Sequence, residues 1–161
     1  MTRTAEQAIH TLEFTKEQEI AAPIEIVFET LLEQLGPHHE TSPKSPLPMT
    51  LEPWPGGRWF RDLGNNSGHY WGHVQVIKPP RLLEISGPLF MSFPAISHLQ
   101  YRLTEEGGVT RLRLTHGAMG QIPREWQDGA DKGMEDWWSH IFTRVREGAE
   151  RRKAALASPR S

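Results

Sequence analysis

The strongest hydrophobic pattern in the chain lies near its C-terminus, between residues 133 and 147. At about 100° per residue, its apolar side chains fall within an arc of about 140°, and polar residues occupy the rest of the helical wheel. The apolar positions are Met134, Trp137, Trp138, Ile141, Phe142 and Val145. Only an amphipathic helix sorts residues in this way, and two adjacent Trp side chains need a broad surface to cover them. The pattern predicts one long helix with a sheet wrapped around it.

A second helical pattern follows Pro23, and most of the remaining chain is typical of strands. Pro23 suits the first turn of a helix, apolar residues then repeat at helical spacing, and Gly36-Pro37 end the pattern. A polar-rich first strand precedes this helix, and residues 38–48 have the composition of a loop. Alternation and turn signals predict further strands at residues 49–54, 58–63, 69–77, 82–89, 97–104 and 109–116. Consecutive hairpins predict an antiparallel sheet.

Composition favours one ordinary globular domain. The chain has 161 residues, of which 37% are hydrophobic and 24% are charged. Its net charge of -2 provides no positive potential that would attract nucleic acid. It contains no Cys, which excludes disulfides and thiolate chemistry. We find no apolar run long enough for a membrane span and no secretory signal, so we expect a cytoplasmic protein. We expect a flexible lead-in at residues 1–11, a single domain at 12–152 and a flexible tail at 153–161.

Several local motifs occur in the same order as these elements. They are Ala22-Pro23 with Val27-Phe28, Gly56-Gly57-Arg58, Gly72-His73-Val74 before Pro79-Pro80-Arg81-Leu82, the run from Thr110 to His116, and Gly133 with Trp137-Trp138 and Ile141. On these residues the chain resembles the START-like (SRPBCC) superfamily, and within it the homologues of the activator of the heat-shock-protein-90 ATPase. The resemblance implies an α+β helix-grip fold. This is a curved antiparallel sheet of about six or seven strands around a long C-terminal helix, with another helix after the first strand.

The resemblance also implies three functions. Proteins similar to this one bind apolar molecules between the sheet and the long helix, so the first expectation is a single-domain binder of a small hydrophobic or aromatic molecule, without a cofactor. We expect this binder to have a link to stress response. The second is a chaperone-interacting module, although the chain resembles only the C-terminal domain of the two-domain namesake. The third is an enzyme similar to polyketide cyclases and aromatases. A fold does not by itself decide among them.

Aromatic residues supply the candidate walls of a ligand pocket. A pocket needs apolar walls and a few placed polar groups. The predicted ligand-binding residues are Trp59, Trp71, Phe90, Phe93, Tyr101, His116 and Trp137. Plain core packing is the alternative for each of these rings, since aromatic residues are usually buried in any fold. On the helical wheel Trp138 lies nearer the centre of the apolar arc, so we expect Trp138 in the core and Trp137 at the border of the cavity.

Histidines are the polar candidates, and the sequence predicts neither catalytic residues nor a metal site. His116 alternates in phase with Leu112 and Leu114 and should point towards the helix, whereas His98 is out of phase with its apolar neighbours. His73 shares its phase with Trp71. The residues His38-His39-Glu40 suggest a metal, but adjacent residues rarely converge on one ion. The sequence has no nucleophile elbow, phosphate-binding loop or dinucleotide fingerprint.

Overall fold

A computed structural model describes residues 8–124 and 130–157 of the protein. Within these ranges the helices and strands follow in the order β1 (His10–Ile20), α1 (Ile24–Leu35), β2 (Glu40–Ser42), β3 (Ser45–Pro46), β4 (Thr50–Leu51), β5 (Arg58–Gly64), β6 (Ser67–Lys78), β7 (Leu82–Gly87), β8 (Ala95–Glu106), β9 (Val109–Gly120) and α2 (Ala130–Ala157).

One large antiparallel sheet carries the fold. Its seven strands lie in the order β1-β9-β8-β7-β6-β5-β4, and β2 and β3 form a separate small hairpin. The first strand returns to pair with the last, so that Phe14 lies opposite His116, which in turn lies opposite Leu99 on β8. This sheet, the helix after its first strand and the long C-terminal helix form the α+β helix-grip fold predicted from the sequence.

The apolar face of α2 packs on the sheet with the phase that its sequence predicts. All six apolar positions of the helical pattern are buried, and Trp138, Phe142 and Val145 have no exposed surface. Trp138 meets the ring of Tyr101 on β8, with centroids 6.0 Å apart, and Lys16 of β1 lies 5.8 Å from the ring of Phe142. The helix therefore crosses the same face of the sheet from β8 to β1.

Helix α1 closes the core from the other side of α2. Its apolar residues are buried except Ile26 and Leu32, which are partly buried. The absence of a side chain at Gly148 brings α2 close to Thr30, which an added Cβ would meet at 3.1 Å. Arg152 of α2 forms an ion pair with Glu33. The last carbonyl of α1, that of Leu35, accepts a hydrogen bond of 2.7 Å from Nε1 of Trp59. This bond satisfies a helix-end acceptor and ties α1 to β5.

Two local features differ from the pattern predicted from the sequence. The strand expected at residues 49–54 is only Thr50–Leu51, because Pro53 and Pro55 have no amide N–H for the sheet. The expected loop at 38–48 contains the β2–β3 hairpin. Within the described residues, regular structure begins at His10 and ends at Ala157. Residues 1–7 of the predicted lead-in and 158–161 of the predicted tail lie outside the described residues.

Candidate functional site

Four aromatic rings meet at one end of the space between the sheet and α2. Their edge-to-face centroid distances are 5.1 Å between Trp59 and Trp71, 5.8 Å between Trp71 and Trp137, and 5.0 Å between Phe90 and Trp137. The imidazole of His39 joins them, 5.7 Å from Trp71 and 5.8 Å from Trp137. We call these five residues the aromatic cluster. Edge-to-face contacts of this kind stabilise the arrangement beyond the effect of burial.

A β-bulge places Trp71 in the aromatic cluster. Trp59 pairs with Gly72 and Phe60 with Tyr70, so Trp71 is the extra residue on β6. A bulge shifts the alternation of the strand by one residue. Trp71 and Val74 are therefore both buried, whereas His73 is exposed. The expectation that His73 shares the orientation of Trp71 is wrong for this reason.

Two glycines let the backbone approach Trp71 closely. A Cβ at Gly87 would lie 2.4 Å from Trp71 O, and a Cβ at Gly72 would lie 2.7 Å from Ser86 O. Just beyond β7, the amide of Leu89 donates a hydrogen bond of 2.8 Å to Trp71 O. This contact holds the start of the segment that carries Phe90 against the bulge, and so brings Phe90 to the aromatic cluster.

His39 is a buried, neutral member of the aromatic cluster. Its side chain is 1% exposed, and its Nδ1 lies 3.2 Å from the carbonyl oxygen of Leu47. The pKa of His39 is lowered to about 4. Burial is the largest cause, and the nearby Arg144, His140 and Arg61 add to it, whereas the bond to Leu47 acts in the opposite direction. A carbonyl oxygen only accepts, so Nδ1 carries the proton and Nε2 keeps its lone pair.

Arg144 of α2 holds the residues on both sides of His39. Its Nε donates to Gln34 Oε1 at 2.7 Å, its Nη2 donates to the carbonyl oxygen of His38 at 3.3 Å, and it forms an ion pair with Glu40. The loop after α1 is thus tied to the long helix at the residues that flank His39. An arginine fork suits this task because its donors have a fixed geometry.

His116 and Tyr101 lie apart from the aromatic cluster, against Trp138. Nε1 of Trp138 donates to Nδ1 of His116 at 3.3 Å, so His116 Nε2 carries the proton and donates to Ser97 Oγ at 3.0 Å. His116 is 2% exposed, and burial lowers its pKa to about 4. Both ring nitrogens are engaged, which leaves His116 no lone pair with which to take a proton from a substrate.

On the opposite face of the sheet, His98 takes part in a hydrogen-bonded relay. Its Nε2 lies 2.8 Å from Glu84 Oε1 and its Nδ1 lies 3.0 Å from Ser86 Oγ. This order of groups resembles a nucleophile, base and acid, but the Ser86 hydroxyl donates to Gln75 Oε1 at 2.6 Å. Ser86 also lies within β7, paired with His73 and His98 on the neighbouring strands. Its surroundings therefore lack the free backbone amides that stabilise an oxyanion, and we interpret the relay as a surface network.

The predicted ligand-binding residues fall into two groups in the structure. Trp59, Trp71, Phe90 and Trp137 come together in the aromatic cluster, and Phe93 is half-buried on the same segment as Phe90. Tyr101 and His116 contact Trp138 in the core. Sequence reasoning missed His39 and Arg61 as members or neighbours of the cluster. The only signal for Arg61 was its position two residues after Trp59, on the same face of β5.

The histidine pair that suggested a metal has other partners. Nδ1 of His38 lies 3.6 Å from Glu33 Oε2, His39 belongs to the aromatic cluster, and Glu40 pairs with Arg144. Across residues 8–124 and 130–157, no group of three or more His, Asp or Glu side chains is arranged to hold a metal ion. In the same residues, neither helix has the length and apolarity that crossing a membrane requires.

Comparison with known proteins agrees with this architecture. The fold defines a helix-grip protein of the START-like superfamily. The chain belongs to the family described as activator of Hsp90 ATPase homolog 1-like protein, whose model matches residues 21–147. No curated protein matches the sequence.

Several solved structures share the fold at low sequence identity. A protein from Rhizobium leguminosarum is 17% identical with a TM-score of 0.65, over 87% of this chain and 97% of its own. The aromatase/cyclase ZhuI from Streptomyces sp. R1128 is 20% identical with a TM-score of 0.63, over 93% of this chain and 100% of its own. The di-domain aromatase/cyclase BexL is 16% identical with a TM-score of 0.64, over 96% of this chain and 52% of its own. Identities this low establish the fold alone.

Proposed function

We propose that the protein is a cytoplasmic, single-domain binder of a small hydrophobic or aromatic molecule, which it holds at the aromatic cluster. The observation that carries this proposal is the contact of Trp137 on α2 with Trp71 on the sheet and Phe90 on the segment after β7. Three elements thus contribute rings to one place. Trp137 is 8% exposed and Phe90 is half-buried, so the cluster reaches from the core to the surface. Concave sites lined by aromatic side chains are the usual hosts of apolar ligands.

In this proposal, some of the predicted site residues contact the ligand and the others support them. Trp71, Phe90, Phe93 and Trp137 touch the ligand, while Trp59, Tyr101 and His116 pack behind them. Trp59 suits a supporting role because it is fully buried and its N–H is bonded to Leu35 O. The relatives named as aromatase/cyclases support a role with small molecules for this fold.

An enzyme similar to the aromatase/cyclases is the first alternative. It needs a group that can exchange a proton with the substrate. The engaged nitrogens of His116 argue against His116 in that role, and this is why binding without turnover is favoured. Turnover of a bound polyketide-type substrate, detected by mass spectrometry, would replace the binding proposal with this one.

A chaperone-interacting module is the second alternative, and the family name supports it. Such a module needs an exposed apolar patch. Residues 89–94 are an apolar, turn-rich segment and the candidate for such a patch. Leu89 and Met91 of this segment are buried, at 3% and 8% exposure, which leaves a smaller surface for a partner. Stimulation of a chaperone ATPase by the purified chain would favour this alternative over ligand binding.

NMR of the tryptophan side chains tests the binding proposal. The indole N–H groups of Trp59 and Trp138 donate hydrogen bonds of 2.7 Å and 3.3 Å inside the core, whereas Trp137 faces the aromatic cluster. A panel of apolar one-, two- and three-ring molecules is titrated into ¹⁵N-labelled protein to about 1 mM, a concentration that detects weak binding. We expect a saturable shift of the Trp137 signal that exceeds those of Trp59 and Trp138. No saturable shift with any member of the panel would refute the proposal.

A further inference from the structure

Three buried polar atoms in or beside the aromatic cluster have no hydrogen-bond partner among the described residues. They are Nε2 of His39, Nη1 of Arg61 and Nε1 of Trp137. Buried polar atoms are almost always paired, and an unpaired one destabilises the folded state. The Tyr101 hydroxyl and Nε2 of His140 are also unpaired, but Tyr101 lies outside the cluster and His140 lies beside an ion-pair partner. The three atoms at the cluster therefore require a specific explanation.

Two of the three side chains are in contact, and the third lies on the same face of the sheet. The rings of His39 and Trp137 meet edge to face with centroids 5.8 Å apart, and each also meets the ring of Trp71, at 5.7 Å and 5.8 Å. Arg61 follows Trp59 by two residues on β5 and so points to the same face of the sheet. The positive charge of Arg61 is among the causes of the lowered pKa of His39.

The three atoms have different hydrogen-bonding roles. The bond from His39 Nδ1–H to Leu47 O leaves Nε2 as an acceptor. The indole Nε1–H of Trp137 and the guanidinium Nη1–H of Arg61 can only donate. The cluster thus offers one acceptor and two donors, surrounded by aromatic rings.

A hydroxyl group on an aromatic or conjugated ring matches this set. Its O–H can donate to His39 Nε2, and its oxygen has two lone pairs for the N–H groups of Trp137 and Arg61. Building on the proposed function, we infer that the ligand is an apolar ring compound with an acidic hydroxyl, a phenol or an enol, anchored by His39, Trp137 and Arg61. The rings of Trp71 and Phe90 cover the apolar body of the ligand.

Other polar groups match the three atoms less well. A carboxylate offers only acceptors, so it meets the lone pair of His39 Nε2 without a proton between them. A methyl ether has no proton to donate to His39. A buried water molecule can donate and accept, so it could also pair with the three atoms. If water is their only partner, a ligand with a hydroxyl should bind no more tightly than the matching ether. These differences make the hydroxyl proton the quantity to test.

The experiment compares ligands that differ only in the polar group. Naphthalene, 2-naphthol, 2-methoxynaphthalene and 2-naphthoate, together with the corresponding one-ring and three-ring sets, are titrated by calorimetry and by the Trp137 indole N–H signal. We expect the hydroxyl member to bind about tenfold more tightly than the ether, the value of one net hydrogen bond.

Two variants and a matched control assign the effect to named atoms. His39→Phe removes the acceptor and Trp137→Phe removes a donor, while both keep an aromatic ring in the cluster. We expect His39→Phe to bring the affinities of the hydroxyl and the ether to within about twofold of each other. Trp137→Phe should weaken the hydroxyl and the ether alike relative to naphthalene, because the oxygen of either ligand can accept from the indole N–H. Trp54→Phe removes an indole that is 54% exposed and should preserve the full preference for the hydroxyl. Circular dichroism establishes that each variant is folded, and either variant alone is sufficient for the test.

The outcomes separate this inference from the proposed function. The hydroxyl anchor would be overturned if all four forms bound with equal affinity or if the carboxylate bound most tightly. The binding function would remain intact in either case, provided that the ligands shift the Trp137 signal. A preference for the hydroxyl over the ether that persists in His39→Phe, or an advantage of 2-naphthol over naphthalene that Trp137→Phe leaves unchanged, would overturn the assignment to these residues. No binding by any member of the three sets would overturn both proposals.

Discussion

The indole rings of Trp137 and Trp138 stack on each other, with centroids 4.3 Å apart and planes at 28°, yet their other neighbours differ. Trp138 has no exposed surface and meets Tyr101 and His116 of the sheet. Trp137 is 8% exposed and meets Trp71 and the other members of the aromatic cluster. One step along α2 therefore divides the structural core from the candidate site.

This division predicts different effects of the same truncation at the two positions. Trp138→Ala leaves a void in the core and should lower the free energy of unfolding by about 3–5 kcal/mol. Trp137→Ala should lower it by clearly less and should weaken ligand binding, because its ring lies at the border of the core. Urea midpoints of the two variants measure the first effect and calorimetric titration measures the second. Equal losses of stability would mean that both rings are ordinary core, and a larger loss at Trp137 would contradict the division.

The sequence predicts the fold better than the site, for a physical reason. Helical periodicity identified the buried face of α2, and alternation with glycine-rich turns identified the long strands, because both patterns are local. The bulge at Trp71 is not visible as a pattern, and it reversed the predicted orientation of His73. His39 lies in a short connection whose composition suggests solvent exposure, and contacts with Arg144, Leu47 O and the aromatic rings hold it inside. Tertiary contacts of this kind have no periodic signature.

The two buried histidines predict a loss of stability in mild acid. The pKa values of His39 and His116 are about 4 in the folded protein, below the ordinary value of 6.5. Between these values the unfolded chain binds protons that the folded protein does not. Stability is therefore complete above about pH 6.5 and falls as the pH decreases towards 4. The two residues together should lower the free energy of unfolding by about 2 kcal/mol between pH 7 and pH 5.5.

Urea denaturation at several pH values checks this dependence. His39→Gln and His116→Gln should each remove about half of the loss between pH 7 and pH 5.5. The matched control is His69→Gln, since His69 is exposed on β6 and should leave the dependence unchanged. A wild-type stability that stays constant over this range would show that the two imidazoles are not kept neutral by burial.

A pair of strand glycines predicts opposite tolerance to one added methyl group. A Cβ at Gly87 would lie 2.4 Å from both Gly72 Cα and Trp71 O, which are backbone atoms and cannot move aside without disturbing the bulge. Gly87→Ala should therefore destabilise the protein by about 1–3 kcal/mol. Gly117→Ala is the matched control, because a Cβ there meets nothing within 4 Å, and it should be neutral or slightly stabilising. Similar denaturation midpoints for the two variants would show that Gly87 does not lie as close to the backbone of Trp71 and Gly72 as described.

Arg144 offers a way to disturb the site without changing any ring in it. Arg144→Met removes the bonds to Gln34 and His38 and the ion pair with Glu40. The side chains of Arg144 and Glu40 are 30% and 15% exposed, so solvent screens the pair only partly, and the loss of stability should be about 1–3 kcal/mol. Arg113→Met is the matched control, since Arg113 is 55% exposed and pairs with Glu17 only at 3.7 Å; its loss should be within about 1 kcal/mol.

The effect of Arg144→Met on binding is the more informative measurement. If Arg144 holds the residues on both sides of His39, its loss lets the imidazole leave its place beside Trp71 and Trp137. Affinity for the ligands that shift the Trp137 signal should then fall several-fold, and it should stay unchanged in Arg113→Met. Calorimetry at a temperature where both variants are fully folded separates affinity from stability. Unchanged affinity in Arg144→Met, together with the expected loss of stability, would show that the rings of the aromatic cluster hold His39 in place by themselves.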